Sequence, residues 1–156
     1  MKRPSLQVGP GVVARQYAPE EVAEITRRWL EAYGQDSHGV NTRDYLWHIF
    51  SGARYPSISG NSARTEYRLR TAHEYIVLSN DRELAFTTAV RPETCSLSDY
   101  YVFPPNLAWT VAFTHEDGWL GPYFARHRNF ETLNQENLAR IRKAREAESA
   151  RLKGWR

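Results

Sequence analysis

The sequence contains one cysteine and one methionine among its 156 residues, and it lacks any long run of hydrophobic residues. A single cysteine excludes an internal disulfide bond, so nothing indicates an oxidising compartment. No run is long enough to cross a bilayer, and the first residues are not followed by the apolar segment of a secretory signal. We therefore expect a cytoplasmic protein with no membrane partner.

Sequence signatures of catalysis and metal binding are also missing. The chain has no H-E-x-x-H zinc motif and no G-F-x-F-V segment of the kind found in RNA-recognition sheets. We therefore predict no cofactor, no metal ion and no catalytic residue.

The length fits one domain, large enough to bury about two thirds of the surface that the unfolded chain exposes. The aromatic fraction of 13%, with five Trp and nine Tyr, is high for a globular protein. Residues 1–18 are predicted to form an extended N-terminal arm, because Pro and Gly interrupt short apolar pieces there. Residues 19–156 are predicted to form a single domain that ends in a basic helix.

The first helix is predicted to begin at Pro19, where Glu20 and Glu21 face the positive end of the helix dipole. Its apolar residues recur at helical spacing before Gly34, a typical C-terminal residue: Val22, Ile25, Trp29 and Tyr33. Two shorter helices are predicted over residues 42–50 and 63–72. A long helix is predicted from residue 130 to residue 153, with an apolar side that is continuous only to about Ala144.

Five short strands are predicted between these helices, at residues 74–79, 84–90, 99–103, 107–114 and 119–124. In the fourth strand, bulky residues alternate with small ones, which indicates one buried face. Asp117-Gly118 is typical of a tight hairpin turn, and Gly121-Pro122 in the return strand indicates an edge position or a bulge. The pattern predicts an α+β fold: an antiparallel meander of about four to five strands, with N-terminal helices and a long C-terminal helix.

The net charge of +3 is concentrated at the end of the chain. Residues 126–156 hold nine Lys/Arg against four Asp/Glu, whereas residues 1–125 hold twelve against fourteen. Six basic side chains of the last helix are candidates for nucleic-acid phosphate contacts: Arg140, Arg142, Lys143, Arg145, Arg151 and Lys153. The interspersed glutamates favour instead a solvated helix or one that faces a partner.

Two aromatic segments resemble a known family. Residues 44–51 read D-Y-L-W-H-I-F-S, and residues 109–124 contain T-H-E-D-G-W followed by G-P-Y-F. Together they resemble a family of small bacterial proteins that share a domain of unknown function, in which L-W-H-x-F-S precedes a late T-H-E and G-P-Y-F segment. The resemblance covers about residues 19–124 and implies no catalytic residues. Size and aromatic content are also similar to those of bacterial immunity proteins, which neutralise toxins by binding them.

Five side chains allow a chemical alternative. His48 and His115-Glu116, with His127, are candidates for a metal or acid–base site, although neighbouring residues of a strand point to opposite faces. The structural alternative is that His48 and His115 form hydrogen bonds that hold the hairpin and the second helix. Cys95 is a candidate nucleophile, against the alternative of a partly buried and inert thiol.

The leading functional hypothesis is a non-enzymatic bacterial protein-binding module, an immunity or antitoxin-like inhibitor of a partner protein such as a toxin. Aromatic side chains beside loops are typical of interface hot spots. The predicted contact residues are Trp47, His48, Tyr101, His115, Glu116, Trp119 and Tyr123. The alternative is a nucleic-acid-associated protein that uses the basic helix, and a small hydrolase or transferase is third. The oligomeric state is left open.

Overall fold

The computed structural model describes residues 6–36, 42–115 and 121–154. Within these ranges the chain forms four helices: α1 (Pro19–Tyr33), α2 (His48–Ser51), α3 (Gly60–Leu69) and α4 (Phe130–Gly154). It also forms nine strands: β1 (Val8–Gly9), β2 (Arg15–Gln16), β3 (Ile58–Ser59), β4 (Tyr75–Ser79), β5 (Ala85–Thr88), β6 (Thr94–Cys95), β7 (Tyr100–Phe103), β8 (Trp109–Phe113) and β9 (Tyr123–Arg126). The predicted α+β class is confirmed.

Seven strands form one antiparallel sheet in the order β2-β5-β4-β7-β8-β9-β3, and β1 pairs with β6 in a separate ribbon. The predicted number of four to five strands is therefore wrong. The two additional strands, β2 and β3, contain two residues each and lie at the edges of the sheet. A two-residue strand is too short to show hydrophobic alternation, which is why the sequence pattern missed both.

The strand order also differs from a simple meander. Strand β4 pairs with β5 on one side and with β7 on the other, so the chain returns past β4 after completing β5. From β7 onward the predicted order is confirmed, because β7, β8 and β9 pair in succession. Strand β7 consequently lies at the centre of the sheet.

Both faces of the sheet are buried. Residues of α1 and of the segment around α2 pack on one face, where the ring of Trp29 contacts those of Phe50 and Tyr101. Residues of α3 and the start of α4 pack on the other face, where Tyr67 and Phe130 belong to the same cluster as Trp109. The prediction that only the bulky face of β8 is buried is wrong, because α1 covers the small residues on its other face.

The first helix was predicted correctly. Helix α1 begins at Pro19, and its buried residues are Val22, Ile25, Trp29 and Tyr33. Glu21 accepts a hydrogen bond from the backbone N–H of Ala18 at 3.0 Å, which satisfies a donor at the helix start. Trp29 then reaches the sheet, where its Nε1 donates to Oγ1 of Thr110 at 3.1 Å.

The next two helices differ from their predicted ranges. Residues 42–47 form turns, so the helix predicted over 42–50 is reduced to the four residues of α2. Helix α3 begins three residues earlier than predicted and ends before Ala72. Neither segment has the strong end signals that defined α1, and tertiary contacts therefore decide the boundaries.

The predicted hairpin is present as the pair β8 and β9, in which Trp109 lies opposite Arg126 and Ala112 opposite Tyr123. Its predicted turn, Asp117-Gly118, lies outside the described residues. Of the two alternatives predicted for the return strand, an edge position or a bulge, the edge position is wrong, because β3 pairs with β9 through Ile58 and Phe124. Strand β9 is thereby one position in from the edge.

The long C-terminal helix is confirmed as α4. Phe130 and Asn137 are its buried residues, and every residue from Arg145 to Gly154 is exposed. Helix α4 therefore packs closely on the domain through its first half, whereas its last ten described residues are exposed. In the part of the chain that the structure describes, no helix has the length and apolar character needed to span a membrane.

Candidate functional site

The structure separates the predicted contact residues into two groups. Trp47, Tyr101 and Tyr123 are buried, at 2%, 0% and 6% exposure. These three rings consequently form part of the core and present little surface to a partner. His48 is half-buried and His115 is exposed. The other two predicted contacts, Glu116 and Trp119, lie outside the described residues.

The two histidines converge on one ring. The ring centroid of Tyr45 lies 5.4 Å from that of His48 and 5.3 Å from that of His115. We call this surface, formed by Tyr45, His48 and His115, the histidine patch. The ring of Trp47 lies against the histidine patch, with its centroid 4.6 Å from that of His48 in an edge-on arrangement. Trp47 also stacks on Tyr123, with ring centroids 6.1 Å apart. Buried aromatic rings thus support the histidine patch from the core side.

A carboxylate fixes one member of the histidine patch. Nδ1 of His115 lies 2.9 Å and 3.0 Å from the two carboxylate oxygens of Asp99, and the backbone N–H of His115 donates to the same carboxylate at 2.6 Å. The side chain of Asp99 is 8% exposed, whereas that of His115 is 40% exposed. Because a carboxylate only accepts hydrogen bonds, Nδ1 of His115 is the donor in this contact.

Asp99 was not among the predicted site residues, although a signal for it exists in the strand pattern. It directly precedes β7, and His115 follows β8 by two positions. Strands β7 and β8 are antiparallel, with Tyr100 opposite Phe113, so both residues lie at the same end of the sheet. Pairing the third and fourth predicted strands would have placed the carboxylate beside the imidazole.

Four hydrogen bonds hold the segment that carries Tyr45 and His48. The hydroxyl of Tyr101 accepts from the backbone N–H of Trp47 at 2.9 Å and donates to Oδ1 of Asn80 at 2.7 Å. Asn80 in turn accepts from the N–H of Leu46 at 3.2 Å and donates to the carbonyl of Asp44 at 2.6 Å. This network joins the segment that carries Tyr45 and His48 to the centre of the sheet.

The histidine patch can donate, accept and stack, but it does not assemble a metal site from described residues. No three His, Cys, Asp or Glu side chains in the described ranges come close enough to share a metal ion. Asp99 and His115 have the arrangement in which a carboxylate orients an imidazole for proton transfer. The same arrangement also holds an imidazole in one orientation for binding.

His127, the third histidine of the predicted cluster, lies elsewhere. Its ring contacts Tyr33 edge-on at 6.3 Å, and it lines a cavity of about 530 Å³ whose walls include neither His48 nor His115. The predicted convergence of the histidines therefore holds for His48 and His115 only. Burial, together with the nearby positive charge of Arg128, lowers the pKa of His127 from its ordinary value of 6.5.

The environment of His127 predicts a dependence of stability on pH. Nδ1 of His127 accepts from the backbone N–H of Asn129 at 3.0 Å, and protonation removes that acceptor. Because the unfolded chain binds this proton more readily, the contribution of neutral His127 to stability is complete above pH 6.5 and decreases as the pH falls toward the lowered pKa. Urea unfolding of the wild type and of His127→Gln across this range should show a flatter pH dependence in the variant. Equal pH dependence in the two proteins would contradict the assignment.

The candidate nucleophile, Cys95, lies in β6 and is partly exposed. Burial raises the pKa of its thiol above the ordinary value. A raised pKa lowers the thiolate fraction at neutral pH, which is the opposite of what a nucleophilic cysteine requires. The structure favours the inert alternative for this residue.

The six basic residues of the nucleic-acid alternative all project from α4 into solvent. Arg151 donates to both carboxylate oxygens of Glu148 at 2.6 Å, so its charge is partly compensated within the helix. The six are distributed around the helix rather than along one side, since residues 142 and 143 differ by about 100°. No described basic residue of α4 contacts the histidine patch.

The fold and the site define a small α+β domain with an aromatic and histidine surface at one end of an antiparallel sheet. The chain belongs to the family defined by the domain of unknown function DUF4275, whose model matches residues 31–124. The match includes α2, α3 and most of the large sheet, and it ends before α4. No curated protein and no solved structure matches the chain.

Proposed function

We propose that this protein is a non-enzymatic protein-binding module of the bacterial cytoplasm, an immunity or antitoxin-like inhibitor that binds a partner protein through the histidine patch. The observation that carries the proposal is the set of hydrogen bonds and ring contacts that order that surface. The carboxylate of Asp99 accepts hydrogen bonds from the backbone N–H and from the ring of His115. The ring centroid of Tyr45 lies 5.3 Å from that of His115 and 5.4 Å from that of His48.

Rigid aromatic surfaces support tight binding for a physical reason. A partner that binds a mobile surface must first order its side chains, at about 0.5–1.5 kcal/mol for each one. In the histidine patch the hydrogen bonds and ring contacts of the free protein have already ordered them. Aromatic residues surrounded by buried supports are also the kind that dominate measured interface energies.

The test is an affinity capture from the source bacterium with three immobilised proteins, at low and at high salt. These are the wild type, the variant Tyr45→Ala/His48→Ala, and the control Lys143→Ala on α4. We expect one protein to be retained at high salt by the wild type and the control but not by the double variant. The retained partner, once purified, should bind the double variant at least about thirtyfold more weakly than it binds the wild type. This ratio corresponds to a difference of ~2 kcal/mol in binding free energy. Equal binding by all three proteins would refute the proposal.

The exposed basic half of α4 supports a second candidate, nucleic-acid binding. Phosphate contacts make affinity fall steeply with salt, with a log–log slope of about 0.9 for each phosphate neutralised on duplex DNA. A protein interface centred on aromatic rings is much less sensitive to salt. Titration of the full chain with labelled duplex and single-stranded DNA at several salt concentrations distinguishes the two, and a chain that ends after Leu138 should lose only the nucleic-acid binding.

The pair of Asp99 and His115 supports a third candidate, a small hydrolase or transferase in which His115 transfers a proton. The variant Asp99→Asn separates this candidate from the binding proposal. An amide can still hydrogen-bond to His115 and hold its ring, so partner binding should change only a few-fold. Proton transfer by His115 should fall by about 10²–10⁴. The rate of hydrolysis of chromogenic esters and phosphates measures catalysis. The affinity for the captured protein measures partner binding.

A further inference from the structure

The second half of α4 has a surface that the described part of the chain leaves uncovered. Leu138, Ile141, Arg145, Glu148 and Leu152 follow one another at spacings of three and four residues, so they lie along one side of the helix. Leu138 is 44% exposed and Leu152 is 69% exposed. This side, which we call the α4 stripe, combines apolar ends with two central charges.

The α4 stripe does not pack closely against its own domain. A groove of about 590 Å³ separates Ile141, Glu148 and Leu152 from residues 71–75. Tyr75 and Ala72, on the opposite wall, are already buried by the core behind them. On the α4 side of the groove, Arg145, Glu148 and Leu152 are exposed.

The central charges of the α4 stripe indicate what would cover it. Glu148 is held by Arg151, but the guanidinium of Arg145 forms no hydrogen bond or ion pair with any residue in the described ranges. If a second α4 lies antiparallel, Arg145 of each helix faces Glu148 of the other, and Ile141 of each faces Leu152 of the other. A parallel arrangement in register would instead bring Arg145 against Arg145 and Glu148 against Glu148.

We propose that a second copy of this chain packs antiparallel along the α4 stripe, forming a two-fold symmetric homodimer. Two contacts between Ile141 and Leu152 lie at the ends of the interface, and two contacts between Arg145 and Glu148 lie between them. The paired charges set the direction and register of the two helices. The contact from Ile141 to Leu152 extends about 17 Å along the helix axis, at 1.5 Å per residue. An interface of this length is small, so the dimer is weak and its population depends on protein concentration.

The test is sedimentation velocity of the full chain over a wide concentration range. The wild type should show a reversible equilibrium between monomer and dimer. Arg145→Glu and Glu148→Arg, each alone, bring like charges together and should weaken dimerisation by at least about tenfold. The double variant Arg145→Glu/Glu148→Arg restores opposite charges across the interface and should return the dimer to within about threefold of the wild type.

The matched control is Lys143→Glu, which makes the same charge reversal about 200° around the helix from Arg145. It should leave dimerisation unchanged. Leu152→Asn should weaken the dimer at low and high salt alike, because that contact is apolar. All of these positions are exposed, and circular dichroism should show the same helix content in every variant. A wild type that stays monomeric at the highest concentration, or a double variant that fails to recover, would overturn the proposal.

Discussion

Replacing Trp29 with alanine is expected to lower the free energy of unfolding by about 3–5 kcal/mol, the largest loss that we predict for a single substitution in this protein. The ring is 0% exposed and lies between α1 and the sheet. It contacts Tyr33, Phe50 and Tyr101 at centroid distances of 5.4, 5.9 and 5.3 Å. Removal of the indole leaves a cavity between α1 and the sheet. The neighbouring aromatic rings are too large to rearrange and fill that cavity.

Urea unfolding followed by far-ultraviolet circular dichroism measures the effect of Trp29→Ala without depending on the fluorescence of the missing indole. Trp29→Phe is the matched control, since it keeps an aromatic ring but removes the Nε1–H that donates to Thr110. The control should lose about 1–2 kcal/mol. A loss below about 1 kcal/mol for Trp29→Ala would show that α1 does not depend on this ring for its position.

Replacing Tyr101 with phenylalanine is expected to lower the free energy of unfolding by about 2–3 kcal/mol, the second largest effect. The substitution removes one hydroxyl from the fully buried centre of the sheet. The N–H of Trp47 then loses its acceptor and Oδ1 of Asn80 loses a donor. Burial also raises the pKa of Tyr101 well above its usual range, so in the wild type the hydroxyl keeps its proton and remains a donor.

Tyr101→Phe should also increase the amide hydrogen exchange of residues 44–48, because the lost hydrogen bonds hold that segment to β7. Tyr17→Phe is the matched control, since the described structure gives its hydroxyl no hydrogen bond. The control should change stability by less than about 0.5 kcal/mol. Equal exchange at Trp47 in wild type and Tyr101→Phe would mean that the segment is held by its ring contacts alone. The histidine patch would then be less dependent on β7 than we infer.

The helices of this protein could be predicted because their signals are local. Pro19 and the acidic residues after it mark the start of α1, and its apolar residues recur within a few positions of one another. The length of α4 could likewise be predicted from the residues of that helix alone. Residues 42–47 show the limit of this reasoning, because they have helix-like spacing but form turns held by Asn80, which lies more than thirty positions away.

The histidine patch could be predicted in part. His48 and His115 were identified from two short motifs, and the structure places both against Tyr45. The burial of Trp47, Tyr101 and Tyr123 was not predictable from residue type, because Trp and Tyr occupy both cores and contact surfaces. Asp99 was missed because its role depends on which strands are neighbours.

The sequence by itself determined the α+β class, the positions of α1 and α4, most of the longer strands and the basic character of the C-terminal helix. These features depend on residues close together in the chain. Only the tertiary structure decided the order of the strands, the two short edge strands, the burial of both faces of the sheet and the contact of Asp99 with His115. Each of these depends on which distant segments pair, and the same alternating pattern is compatible with several pairings.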